Sequence, residues 1–196
     1  MVPLQATLFM CKYPDLMLSC NSANADYLFH KERASYDGSL DVGDKTLQCG
    51  RVIDIMKLWT YFKGNGWKQI AEQVENEHKL ALYVKDYVIG HPDRYELVVP
   101  EVDTFNVCFW YKPIEMDRKN YKSEEEYLQF LSKVTVLAKK YMIDEGKLLV
   151  GYSSSKSPYY FWRTVTSNPY NTNEDMDFKM KLIGEYCEQA FKELTK

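Results

Sequence analysis

From residue 95 to the C-terminus the hydrophobic pattern changes period in a fixed order, and that order restricts the fold more than any other feature of the chain. Residues 95–99 and 106–111 are rich in the β-branched and aromatic side chains that strands favour. Ser123-x-x-Glu126 has the form of a capping box. The helix it opens carries Tyr127, Phe130, Leu131, Val134, Ala138 and Tyr141 at helical spacing, and Gly146 can close it. Residues 148–152 and 159–165 read as two more strands. From about Asn173 a last helix turns Met176, Met180, Ile183, Cys187 and Leu194 inward. The order is therefore strand, strand, helix, strand, strand, helix. Consecutive strands favour an antiparallel sheet with its helices on one face, a small α+β unit.

The first half is organised differently. Ala6 to Cys11 reads as a buried strand, although an apolar strand at the edge of a domain is usually avoided. Residues 21–45 are polar, with Gly38, Gly43 and several Asp and Ser; an aperiodic loop of that length is usually functional or disordered. Val52, Ile55, Met56, Trp59 and Phe62 then recur at helical spacing until Gly64-Asn65-Gly66 stops them. A second helix, with Ile70, Val74, Ala81, Val84 and Val88 on one face, runs to Gly90-His91-Pro92, where a domain boundary is expected.

Composition narrows the function mainly by exclusion. A net charge of −3 with no basic cluster argues against nucleic acid as the partner. No apolar run reaches membrane-spanning length and no signal peptide is present, so a cytoplasmic protein is expected. The five cysteines (Cys11, Cys20, Cys49, Cys108 and Cys187) form no C-x-x-C pair, which speaks for reduced thiols and against a metal site. His30, His78 and His91 show no ligand spacing either, and His78 lies between Glu77 and Lys79 on a face read as solvated.

Arg163 and Tyr36 are the residues with chemical promise. Arg163 shares a strand face with Phe161 and Val165, while Trp162 and Thr164 take the other. Neither face looks solvated, so the guanidinium needs an anion. That anion is either an internal acid or a ligand carboxylate, which a guanidinium binds through two parallel hydrogen bonds. Tyr36 stands in the polar loop, and a tyrosine held dry can act as a general acid; with sixteen tyrosines in the chain, packing is the other reading. Cys49 lies near a helix start, where thiol pKa falls, or is a packed small residue. The aromatic run 159–162 reads as sheet core rather than a base-stacking surface.

These segments together resemble the pyridoxal-phosphate (PLP) amino-acid decarboxylases of group II. Val2-Pro3-Leu4-Gln5, Asp26-Tyr27-Leu28-Phe29, the loop from Tyr36, Gly43-Asp44-Lys45, Gln48-Cys49-Gly50-Arg51 and Val52-x-Asp54-x-x-Lys57-Leu58-Trp59 follow in that family's order. So do Asn106-Val107-Cys108-Phe109-Trp110, Gly151-Tyr152 and Phe161-Trp162-Arg163 with Asn168-Pro169 behind. The resemblance implies an α/β fold, the C-terminal part of a fold type I PLP-dependent enzyme. Residues 1–91 would end the large PLP-binding domain, with a catalytic loop at about 30–45, and residues 92–196 would form the small α+β C-terminal domain.

By the same resemblance Tyr36 matches the loop tyrosine that reprotonates the substrate carbon, and the loop is similar to a lid reaching toward a partner subunit in a homodimer. Arg163 matches the arginine that binds a substrate carboxylate. The substrate implied is an acidic amino acid: glutamate, aspartate or cysteine sulfinate. Leu40 stands where glutamate decarboxylases tend to carry a second tyrosine and cysteine-sulfinate decarboxylases a leucine; Gly38 and Val42 depart from the usual loop residues. The lysine that holds the cofactor, with its stacking histidine and paired aspartate, is expected upstream of Met1, and Lys12, Lys31 and Lys45 do not match its motif. The chain alone is thus expected to be inactive. The alternative is a non-catalytic module that pairs with a full-length decarboxylase subunit.

Overall fold

The computed structural model describes residues 6, 8–22, 43–46, 48–51, 53–154 and 158–196. The chain divides into two compact units, Met1–Ile70 and Ala71–Lys196. In the first, a short helix α1 (Leu16–Asn21) is tied to the 3-10 turn Gly43–Lys45, where Asn21 Nδ2 donates to the Lys45 carbonyl at 3.3 Å. Cys49 opens a second 3-10 turn, Cys49–Arg51. Helix α2 (Asp54–Gly90) follows, with Asp54 in its first turn, where a negative charge suits the helix dipole. Lys57 Nζ at 2.7 Å and Arg51 Nε at 2.6 Å hold that carboxyl below its ordinary range.

The predicted stop at Gly64-Asn65-Gly66 is a true break: Gly66 has φ 72° and ψ 161°, a conformation open to a residue without Cβ. Among the described residues, 6 and 8–11 do not form the strand predicted at the N-terminus. Leu8, Phe9 and Met10 are exposed and unpaired with any described strand, and a strand without a partner cannot satisfy its backbone.

The second unit realises the order read from the sequence. Strands β1 (Tyr95–Leu97) and β2 (Asn106–Tyr111) precede helix α3 (Glu124–Glu145); β3 (Gly151–Ser153) and β4 (Phe161–Val165) precede helix α4 (Asn173–Leu194). The sheet order is β1-β2-β4-β3 and every neighbouring pair is antiparallel. One face is covered: Val107, Phe109, Tyr111 and Trp162 pack with Leu131, Val134 and Ala138 of α3, with Met176, Met180 and Ile183 of α4, and with Leu80, Ala81, Val84 and Val88 from the later turns of α2. Leu194, expected inward, is more than a third exposed at the last turn of α4. The alternate residues of β2 and β4, including Cys108 and Arg163, face away from that core.

Candidate functional site

Arg163 sits at the middle of β4 and is exposed, flanked on the covered face by fully buried Trp162 and nearly buried Thr164. Strand alternation produces this arrangement, since the two neighbours bury against the helices and force the guanidinium to the other side. Directly opposite on β2 stands Cys108. Burial pushes its thiol pKa up while the Arg163 charge pulls it down. On the other flank Arg163 is paired with Gly151, and a Cβ there would stand 4.0 Å from Arg163 Nε. The absent side chain lets the arginine arm lie close along β3.

The reading that neither face of the strand is solvated is overturned, since Arg163 and Val165 are exposed. Among the described residues Arg163 makes no ion pair, and on its face Val165 is exposed while Phe161 is buried against Trp110. Arg163 borders a pocket of about 380 Å³ lined also by Lys139, Thr164 and Lys179, with no acidic residue among the lining groups. Neither lysine was singled out from the sequence. They stand 40 residues apart on different helices, and only the fold brings them together.

Tyr36, with the loop at about 30–45 up to residue 42, lies outside the described residues. Of the aromatic run only Phe161 and Trp162 are sheet core, Phe161 edge-on to Trp110 at 6.1 Å; Tyr159 and Tyr160 precede the strand, and Tyr160 is 40% exposed with its ring 5.0 Å from Tyr152. His91 stacks on Tyr87, and among the described residues no group of His, Cys, Asp and Glu could hold a metal. No described helix is long and apolar enough to cross a membrane. The face assigned to His78 was misread by one residue. Its neighbour Glu77 is 0% exposed, and neither carboxylate oxygen has a hydrogen-bond partner among the described residues.

The pocket beside Arg163 offers lysines but no acid to pair with a pyridine nitrogen and no ring to stack on one. These residues therefore do not fit a PLP cradle.

Residues 1–112 match the family model described as "Pyridoxal-dependent decarboxylase conserved domain". Over 174 residues the chain is 33% identical to the cysteine sulfinic acid decarboxylase of Mus musculus, covering 87% of this chain and 34% of that protein. It is 35% identical over 164 residues to the Homo sapiens protein of the same name, covering 84% and 32%. The crystal structure of mouse CSAD superimposes with a TM-score of 0.76 at 29% identity, over 90% of this chain and 35% of that one. Catharanthus roseus tryptophan decarboxylase in complex with L-tryptophan shares the fold, with a TM-score of 0.63 at 20% identity, over 90% of this chain and 34% of that one. The chain spans about a third of the length of the curated relatives it matches.

Proposed function

Since this chain belongs to the pyridoxal-dependent decarboxylases, whose cofactor is PLP, we propose that it supplies the substrate-binding side of a decarboxylase for an acidic amino acid: cysteine sulfinate, aspartate or glutamate. The observation that carries this reading is Arg163, held on the uncovered sheet face with no acidic partner among the described residues and with Gly151 leaving room beside it. A substrate carboxylate there would meet a guanidinium fixed at both flanks by strand pairing, and charge-assisted hydrogen bonds are among the strongest a site can make. Tyr36 is proposed as the group that returns a proton to the substrate carbon once carbon dioxide has left. Residues 1–91 are assigned to the end of the large domain and 92–196 to the small one, in a cytoplasmic homodimer.

No lysine of the chain stands in the cofactor-binding motif, so the 196 residues by themselves are expected not to release carbon dioxide from these acids. The test is a chimera in which the N-terminal two-thirds of mouse cysteine sulfinic acid decarboxylase precede this chain. It should decarboxylate an acidic amino acid, and Arg163→Met should lower kcat/KM about 100-fold, the loss of a charged hydrogen-bonding pair. An active chimera indifferent to Arg163→Met would sink the assignment, and activity of the chain alone would sink the expected inactivity.

A second reading has its own support. Ile55, Met56, Trp59 (56%) and Trp67 (76%) on α2 are exposed apolar residues of a kind that marks protein contact. On this reading the chain pairs with a full-length decarboxylase subunit without catalysing the reaction. Co-purification with such a subunit, lost on Trp59→Glu, would support it; a self-sufficient monomer would count against it.

A further inference from the structure

The β3–β4 ladder ends at Gly151–Arg163, and the pocket of about 380 Å³ opens where it ends, between residues 149–151 and 163–165. Its charged lining is wholly cationic: Arg163, Lys139 and Lys179. Lys139 lies 4.8 Å from the centre of the Tyr152 ring, and Lys179 Nζ reaches only the sulfur of Met176 at 3.6 Å. Neither lysine has an acid within ion-pair distance among the described residues. Asp175, whose charge acts on Lys179 from outside ion-pair distance, is also the capping partner of Thr172, accepting from its backbone N at 2.8 Å and its hydroxyl at 3.0 Å. Thr164, 1% exposed, borders the same hollow. Like charges gathered around a partly desolvated cavity repel one another.

We infer that this pocket is an oxyanion-binding site in which Lys179 and Lys139 supply the charge. The ligand class is a compact oxyanion, either free inorganic phosphate or the sulfinate or carboxylate side group of an acidic amino acid. The two sources share the chemistry of several acceptor oxygens around one centre, which suits ammonium groups acting as point charges. Burial already holds the Lys179 pKa below its ordinary value, and a bound anion would favour the charged form. The inference stands on the two lysines and the absence of an acid among the lining residues, and does not require Arg163 to hold the substrate carboxylate.

The test is titration of the 15N-labelled chain with inorganic phosphate, at ionic strength held constant with sodium chloride, following the amides of Gly151, Thr164 and Val165. Saturable shifts in the roughly millimolar range are expected. Lys179→Met should weaken binding at least about tenfold and Lys139→Met less, while Lys179→Arg should stay within about threefold and Lys181→Met, on the same helix but outside the pocket, should change nothing. If Lys179→Met does not fold, Lys139→Met and Lys179→Arg carry the comparison. Absence of saturable shifts, or equal affinity in Lys139→Met and wild type together with Lys179→Met, overturns the inference. L-Cysteine sulfinate and L-alanine separate the sources: Lys179-dependent binding of the first alone identifies the substrate side group, and phosphate binding without either identifies a free anion. Failure of the phosphate arm leaves the Arg163 reading intact, and an Arg163-indifferent chimera leaves this one intact.

Discussion

Glu77 is the residue whose environment departs furthest from its chemistry. It lies on α2, where its backbone carbonyl accepts a 2.8 Å hydrogen bond from the Thr166 hydroxyl, while its carboxyl is fully buried. Burial raises its pKa. Folding therefore retains a proton that the unfolded chain releases at the ordinary carboxylate value. Stability is full below that value and declines as pH climbs through the raised one, by at most about 1.4 kcal/mol per pH unit. Glu77→Gln is expected to flatten the decline and raise the Tm at neutral pH, with no change at acid pH. Equal pH slopes for the two proteins in thermal melts would refute this. The pattern Glu77-His78-Lys79 reads as three solvated residues because linear charge says nothing of which helical position turns inward. Arg163 was legible as a singular residue for the opposite reason, being a lone cation in an apolar strand, although its exposure awaited knowledge of which sheet face the helices cover.

The helices show how local chemistry sets boundaries. The box read at Ser123 is half formed: Ser123 Oγ accepts from Glu126 N at 3.2 Å, but Glu126 reaches back to Lys122 N rather than to Ser123. The complete box lies at α4, where the Thr172 hydroxyl accepts from Asp175 N and the Asp175 carboxylate accepts from Thr172 N. Thr172→Ala should thus cost about 1 kcal/mol and Ser123→Ala less, as read from urea unfolding; the reverse order would contradict the assignment. Gly146 closes α3 in the left-handed conformation at φ 67°, as its place after the periodic run implies. These ends were legible because caps act over three or four residues. The 95–99 strand was overread by its end, since the strand is Tyr95–Leu97 and Val98 N makes a last bond to the Cys108 carbonyl at 2.9 Å; pairing depends on a neighbour distant in sequence. The gathering of Lys139 and Lys179 around one pocket was illegible for the same reason.

At the scale of the molecule, the second unit holds the contiguous core, whose largest buried side chain is Trp162. Residues 71–196 produced alone should therefore unfold in one cooperative transition, and Trp162→Ala should lower their stability by about 3–5 kcal/mol, a large part of what a domain possesses. A broad, non-cooperative melt of that segment by circular dichroism would show that its core depends on other residues. The one-sided cover of the sheet has a consequence for how such a protein can change. Along β2 and β4, odd and even positions answer to different demands: Val107, Phe109, Trp162 and Thr164 to packing, Cys108, Arg163 and Val165 to whatever approaches the open side. New specificities can accordingly be sampled on alternate residues of the same strand while the intervening ones keep the chain folded, so that ligand choice and thermal resistance can drift at separate rates.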